Sequence, residues 1–284
     1  MINRPWCYQC GYVVSNAVSA VLAKAALSAL TTPQFMLLYT SVSVAITLVW
    51  VKIRSLADFF LRPQGIGLLA TNLAAMYLFY AGLQGLDPST HAFLSRAQIA
   101  FGFLLASLIF KEHFSLLHWS ILPVCMLSIM ATAWPDTGNI WPWHAVLATL
   151  LSAFLFALNF AQLKLLASKI KIASAIFSYN ATLLMAMAYQ LDGDTFPQML
   201  NTPSALLYAC GSAICASLSL VLYLRSVHLI SFFESNVLRA AGPYVVMLIA
   251  FPFYPISITW ISVSGALILT LALLALAWIN SSQH

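Results

Sequence analysis

Two arginines stand in the middle of apolar stretches of this chain, where the burial of a charge is costly. Arg96 and Arg239 are separated by 143 residues, close to half of the 284-residue chain. The five N–H donors of a guanidinium need acceptors such as carboxylates, phosphates or backbone carbonyls. Two arginines at this spacing therefore indicate either a repeated binding or gating group or a repeated structural lock.

The sequences that lead to the two arginines are similar. The stretch from Tyr80 to Arg96 matches the stretch from Tyr223 to Arg239 at one constant offset. We therefore expect two copies of one unit, residues 1–136 and 137–284, which together form one transport domain. Repeated halves with charge inside apolar segments are typical of carriers.

The composition excludes a soluble protein. Charged residues make up 7% of the chain, whereas soluble domains contain about 25%. Hydrophobic residues make up 62%, which is more apolar surface than a soluble core of this size could bury. Ten apolar segments of helix length are predicted, and they cover residues 10–30, 33–51, 65–84, 89–110, 117–134, 143–163, 173–191, 204–224, 231–251 and 257–279.

Lysine and arginine lie at one side of these predicted segments, together with the N-terminus, and the connectors of the opposite side carry aspartates. By the positive-inside rule, both termini are expected in the cytoplasm of a plasma membrane, the inner membrane in a Gram-negative bacterium. The net charge of +5 follows from this asymmetry, so no nucleic-acid partner is predicted. The basic residues that define the side are Arg4, Lys52, Arg54, Arg62, Lys111, Lys164, Lys169, Lys171 and Arg225.

Each predicted half contains an odd number of spans. The second half therefore enters the membrane from the opposite side, and matched residues exchange their depths. The expected fold is an all-α integral membrane protein with ten transmembrane helices, arranged as two inverted five-helix repeats. Arg96 is then expected about a third of the way from the outer face, and Arg239 about a third of the way from the cytoplasmic face.

The region around the first arginine carries a further pattern. It begins at Pro88, contains Arg96 and closes with the run from Phe101 to Glu112, while Lys24 adds a charge to the first segment. In these features the chain resembles the EamA-like, ten-helix branch of the drug/metabolite transporter superfamily, over nearly its whole length. The resemblance implies a transporter without a cofactor, whose cavity is lined by segments 1, 3, 4, 6, 8 and 9 and whose segments 5 and 10 are peripheral.

The second copy keeps part of this pattern. Gly242 and Pro243 are present, but the run from Phe253 to Pro255 has no acidic residue at its end. Ile99 and Ala100 occupy the place of the proline that is usual in the fourth helix of the superfamily. The pattern therefore indicates a superfamily and not a particular ligand.

The candidate site residues are polar side chains inside the predicted spans. Interhelical hydrogen bonding is the alternative role for each of them, and Lys24 could instead extend to the headgroups. His91 and Glu234 match each other in the two halves, and each is interpreted as a proton-coupling group or as a solvated residue at a mouth of the cavity. The substrate-binding or gating candidates are Arg96, Arg239, Lys24, Asn16, Asn72, Tyr77, Gln98, Asn159, Asn236 and Tyr244.

These features predict a secondary transporter of a small polar metabolite, an amino acid or a related zwitterionic or anionic compound, because guanidinium holds such groups bidentately. Nucleophile–base and nucleotide-binding motifs are absent from the sequence, so no enzyme is expected. The lone pair Cys7 and Cys10 is weak evidence for a metal, and none is predicted. The expected partners are a small-molecule substrate and the lipid bilayer, and a monomer suffices. The alternative is a non-transporting scaffold or accessory subunit for lipid-linked assembly.

Overall fold

The computed structural model describes residues 4–48, 63–112, 114–132, 142–167, 172–189, 202–227, 229, 239, 241–254 and 260–281. Within these ranges the regular structure is helical, without strands. The helices are α1 (Arg4–Leu27), α2 (Thr32–Leu48), α3 (Pro63–Gly85), α4 (Pro88–Leu94), α5 (Ala97–Phe110), α6 (Leu116–Thr132), α7 (Trp143–Ala167), α8 (Ile172–Tyr189), α9 (Pro203–Val227), α10 (Gly242–Ala250) and α11 (Trp260–Ser281).

Five helical stretches in the described part of the chain have the length and hydropathy that a membrane crossing requires. Three shorter apolar helices accompany them: α2, α6 and the described part of α11. This arrangement is compatible with the predicted multi-pass helical membrane protein.

The predicted segments agree with the helices to within a few residues at most ends, with two differences. The predicted span 89–110 is broken at Ser95 and Arg96 into the helices α4 and α5. Residues 231–238 and 240 of the predicted span 231–251 lie outside the described residues, and its described part contains Arg239 and α10.

Helices α1 and α9 run antiparallel in close contact. Ser19 and Ser212 meet near the middle of both helices, and each hydroxyl donates to the other's backbone carbonyl, at 2.9 and 3.0 Å. Further along, Gln9 Nε2 donates to Ser226 Oγ at 2.7 Å. Small residues and reciprocal hydroxyl bonds allow helix backbones to approach closely inside a membrane.

Helices α3 and α7 form a second antiparallel pair. A Cβ atom at Gly82 would lie 3.2 Å from the carbonyl oxygen of Ala145, so the two backbones nearly touch there. At the other end Thr71 donates to Asn159 Oδ1, and Asn159 Nδ2 donates to Asn72 Oδ1 at 3.4 Å. Close backbone contact at a glycine and hydrogen bonds of asparagine side chains hold this pair of helices together.

The remaining helices pack around these two pairs. Helix α2 contacts α8 and α9, and α3 contacts α8. The broken segment made of α4 and α5 lies against α7 and α10, and α10 lies against α1. Helices α6 and α11 pack on each other, and α6 also contacts α4 and α5.

Candidate functional site

The backbone changes its pitch where α4 meets α5. The amides of Arg96 and Gln98 bond the carbonyls three residues earlier, those of Phe93 and Ser95, at 2.9 and 3.1 Å. The Ser95 hydroxyl bonds the carbonyl of His91 at 2.7 Å. These hydrogen bonds from residue i to residue i−3 tighten the turn. The Arg96 side chain therefore starts from a break between two helices and not from the side of a regular helix.

The guanidinium of Arg96 reaches the other half of the chain. Its Nη1 donates to the backbone carbonyl of Arg239 at 2.6 Å. Its Nη2 lies 2.8 Å from the position that a Cβ atom of Gly242 would occupy. A residue with a side chain at position 242 would therefore displace the guanidinium, and glycine leaves the space that Arg96 fills.

Arg239 is 4% exposed and lies among aromatic rings. The centre of its guanidinium is 4.0 Å from the ring centroid of Phe160, 5.2 Å from that of Tyr12 and 5.4 Å from that of Tyr223. Its Nη2 donates to Gln98 Oε1 at 3.3 Å. Cation–π contacts with three rings and the hydrogen bond to the Gln98 side chain offset part of the free-energy cost of burying the charge.

Both arginines line a cavity with a volume of about 140 Å³. A single water needs only about 10–15 Å³ of such volume, so the cavity has room for a small organic solute. Its wall comes from both halves of the chain: α1, α2, α3 and the α4–α5 break from the first, and α7, α8, α9 and Arg239 from the second.

The cavity extends along α1 and α7. On α7 the side chains of Ser152, Phe156 and Phe160 face it at a spacing of four residues. Each step of four residues is one turn, about 6 Å along the axis. Phe160 stacks on Arg239. Along the axis of α7, Phe156 therefore lies one helical turn from the arginine, and Ser152 lies two turns from it.

The wall combines aromatic and positively charged groups. Among the described residues that line it, two are arginines and none is an aspartate or a glutamate. The nitrogens Arg96 Nε and Gln98 Nε2 are buried and have no hydrogen-bond acceptor within the described part of the chain. Seven aromatic side chains complete the wall: Tyr12, Tyr39, Phe79, Tyr80, Phe156, Phe160 and Tyr179.

Four of the candidates predicted from the sequence meet at this cavity: Arg96, Arg239, Gln98 and Asn16. The predicted pair of arginines is thus brought into direct contact. Asn16 faces the cavity one turn along α1 from Tyr12, which contacts Arg239.

Other uncharged candidates take part in helix contacts and are not among the residues that line the cavity. Asn72 and Asn159 bond each other between α3 and α7. Tyr244 donates to the carbonyl of Ala266 at 2.8 Å, which joins α10 to α11. Tyr77 is 40% exposed on α3. These contacts match the interhelical hydrogen bonding that the sequence left open as the alternative for the asparagines and Tyr244.

Lys24 binds the end of a neighbouring helix. Its ammonium donates to the carbonyls of Leu83, Gln84 and Leu86 at 2.9, 3.0 and 2.6 Å. The last carbonyls of a helix lack internal partners and carry the negative end of the helix dipole. Lys24 therefore caps α3, a contact that differs from both roles considered from the sequence.

The residues predicted for the mouths have different outcomes. His91 is buried, and its ring lies edge-on to Phe79 with centroids 4.4 Å apart. Glu234 lies outside the described residues, and so does Asn236, one of the substrate-binding or gating candidates.

Sequence reasoning missed most of the aromatic wall. The resemblance implies no contribution from the second and seventh segments, yet Tyr39 of α2 and Tyr179 of α8 line the cavity. The spacing of Ser152, Phe156 and Phe160 is one signal that was available, because a serine in register with two phenylalanines marks a protein-facing side of α7.

Sequence comparison finds no matching protein family and no matching curated protein. Comparison of structures does find matches. One, described as "Crystal structure of protein", superposes with a TM-score of 0.60 at 10% identity and covers 99% of this chain and 98% of its own. At this identity the likeness shows a shared fold over the full length of both chains.

Proposed function

We propose that this chain is a membrane-spanning secondary transporter that moves a small anionic or zwitterionic organic solute by alternating access. The cavity at the level of Arg96 and Arg239 carries the proposal, because both halves of the chain build it. Irregular backbone at membrane depth is tolerated where it lines a cavity, and broken helices hold the solute in many secondary transporters. The break at Ser95 and Arg96 supports this assignment.

The pattern of helix contacts supports two inverted copies of one unit. Each predicted segment of one half has its counterpart five segments away in the other half. When both helices of a contact are replaced by their counterparts, α1–α9 becomes α7–α3, α1–α10 becomes α7–α5, and α2–α9 becomes α8–α3. All six of these contacts occur. The same shift maps the pairs α2–α8 and α6–α11 onto themselves. With five spans in each half, two such copies have opposite orientations.

The two copies suggest how the solute would move. The contact between Arg96 and the Arg239 carbonyl joins the halves at the cavity. If one half rocks against the other around this point, the cavity opens to the two sides in turn. We expect the termini to lie in the cytoplasm, as the distribution of lysine and arginine indicates.

Flux in liposomes tests the function. The purified protein is reconstituted, and uptake of labelled carboxylates and amino acids is compared with uptake into protein-free vesicles. We expect saturable uptake that unlabelled solute competes away. Uptake equal to that of empty vesicles across a broad panel of such solutes would remove the proposal.

Access of water to the cavity separates a transporter from a membrane scaffold. Asn16→Cys and Gln98→Cys, in a background without the five native cysteines, should react with a membrane-impermeant maleimide at a rate that a transported solute changes. Leu151→Cys is the control, since Leu151 is exposed on α7 next to the cavity-lining Ser152 and is expected to face lipid. A scaffold with an occluded interior predicts no solute-dependent labelling at either position.

A further inference from the structure

The chemistry of the cavity wall narrows the class of solute, and this inference rests on the proposed function. Two buried donors of the wall, Arg96 Nε and Gln98 Nε2, have no acceptor among the described residues. Leaving a buried donor unsatisfied costs about 1–3 kcal/mol. A carboxylate brings two acceptor oxygens and a negative charge. It therefore offers partners to these donors once their side chains turn toward the cavity, and it balances the charge of the two arginines that line it.

The wall one turn away from Arg239 is aromatic. Phe79 of α3 and Phe156 of α7 are in edge-to-face contact, with ring centroids 5.6 Å apart. The ring centroid of Tyr80 lies 5.2 Å from that of Phe79, and the ring centroid of Tyr39 lies 5.6 Å from that of Tyr80. A planar ring gains edge and face contacts in such surroundings beyond the burial of its area.

The geometry of α7 relates the two regions. Phe160 stacks on Arg239 at 4.0 Å, and Phe156 lies one turn, about 6 Å, along the same face. One or two methylene groups separate a carboxylate from a phenyl ring by a similar length. A single small molecule can therefore contact both the arginines and the rings.

The same wall disfavours a cation. The rings of Tyr12, Phe160 and Tyr223 already surround the guanidinium of Arg239. An ammonium group would meet two arginines and, among the described lining residues, no carboxylate. Like charges at short range in a site of low dielectric repel strongly.

We propose that the cavity binds a small aromatic carboxylate, with its carboxylate at Arg96, Gln98 and Arg239 and its ring against the exposed sides of Phe79 and Phe156. An uncharged aromatic compound lacks the anion for the arginines. A cyclic aliphatic acid lacks the π faces and edges for the rings.

Equilibrium binding to the full-length protein in detergent tests this assignment with four matched probes. These are 3-phenylpropionate, its neutral amide, the amine 3-phenylpropylamine and the aliphatic acid 3-cyclohexylpropionate. By calorimetry, we expect the amide to bind about 10-fold to 100-fold more weakly than the carboxylate, because it loses the charged hydrogen bonds. The cyclohexyl acid should bind about 3-fold to 10-fold more weakly, and the amine should not bind.

Two variants and a control assign the contacts. Arg96→Gln should abolish the preference for the carboxylate over the amide, and Phe156→Leu should abolish the preference for phenyl over cyclohexyl. Phe101→Leu is the matched control, because Phe101 contacts Phe154, with centroids 5.4 Å apart, and is not among the residues that line the cavity. Gel filtration and thermal unfolding show whether each variant is folded.

The outcomes separate this inference from the proposed function. Binding of the amine or the amide as tightly as the carboxylate overturns the anionic part. Equal binding of the phenyl and cyclohexyl acids overturns the aromatic part, and absence of binding by all four probes overturns both. Selective binding without flux in liposomes would leave the site assignment in place and remove the transporter proposal. If the protein transports other solutes but binds none of these probes, the transporter proposal stays in place and the site assignment is removed.

Discussion

Arg96 Nη1 donates a 2.6 Å hydrogen bond to the backbone carbonyl of Arg239, the residue that the constant sequence offset predicts as its counterpart. The contact is not reciprocal, since Arg239 bonds the Gln98 side chain and stacks on aromatic rings. The two arginines therefore differ in their contacts: the side chain of Arg96 donates to the backbone of Arg239, and the side chain of Arg239 donates to Gln98.

The first prediction concerns Arg96. Arg96→Ala removes a positive charge and the bond to Arg239 from the cavity, and we expect uptake per folded molecule to fall at least about tenfold, because a charged hydrogen bond contributes roughly 1.5–3 kcal/mol. Arg96→Lys keeps the charge without the planar fork, so it should restore only part of the activity. Liposome uptake, normalised to folded protein by gel filtration, measures both.

Arg225→Ala is the control for this experiment, because Arg225 is exposed in the last turn of α9. Its uptake should equal that of the unmodified protein. Normal uptake by Arg96→Ala with a reduced folded yield would make Arg96 a structural residue and remove it from the site.

The second prediction uses Gly242. In Gly242→Ala the new Cβ would stand 2.8 Å from Arg96 Nη2, so the guanidinium must move. We expect weaker solute binding with little loss of thermal stability, because the displaced atom is the end of a flexible side chain. Calorimetry and thermal unfolding in detergent measure the two effects separately.

Gly67→Ala provides the comparison, since its Cβ would meet Gln162 Nε2 at an ordinary 3.5 Å. It should leave binding unchanged. If Gly242→Ala binds solute as tightly as Gly67→Ala does, the position of the Arg96 guanidinium is unimportant for binding.

The sequence predicts the helices and the pair of arginines because both leave strong signals. Apolar runs of about 20 residues have few alternatives to helices, and a charge inside such a run must face protein or water. Arg96 and Arg239 could therefore be named as candidates, and the structure brings them to one cavity. Their direct contact depends on how the halves pack, which no local pattern contains.

The break at Ser95 and the aromatic wall could not be predicted in the same way. The stretch from Pro88 to Phe110 contains an 18-residue window with a mean hydropathy of 1.7, and it has no glycine or proline at the break. Phe79 suits either lipid or a cavity, because hydropathy does not distinguish the two environments, whereas Phe156 has the register with Ser152 as a signal. The contact of Lys24 with the carbonyls at the end of α3 could not be predicted either, because these acceptors become its neighbours only in the folded chain.

The third prediction concerns Lys24. Lys24→Met keeps most of the apolar stem but leaves the carbonyls of Leu83, Gln84 and Leu86 without this donor. We expect a loss of about 1–3 kcal/mol in stability, seen as a lower midpoint of thermal unfolding, with unchanged affinity for solute. Lys164→Met is the matched control, because Lys164 forms a partly exposed ion pair with Glu112 at 3.8 Å, and such pairs contribute little. A loss of solute affinity in Lys24→Met at unchanged stability would return this lysine to the list of cavity residues.

The last prediction concerns the contact between α6 and α11, at Gly265. A Cβ atom at this position would lie 2.6 Å from the Thr132 amide nitrogen and 2.9 Å from the Ser128 carbonyl oxygen. Both atoms belong to the backbone of α6 and cannot rotate away, so the helices must separate. Gly265→Ala is therefore expected to cost about 1–3 kcal/mol by overpacking and to lower the midpoint of thermal unfolding. Gly211→Ala makes the same change where the nearest atom is the movable Leu22 Cδ1 at 3.1 Å, so its midpoint should fall less. A midpoint for Gly265→Ala equal to that of the unmodified protein would mean that α6 and α11 separate without cost, and that their contact adds nothing to the stability of the fold.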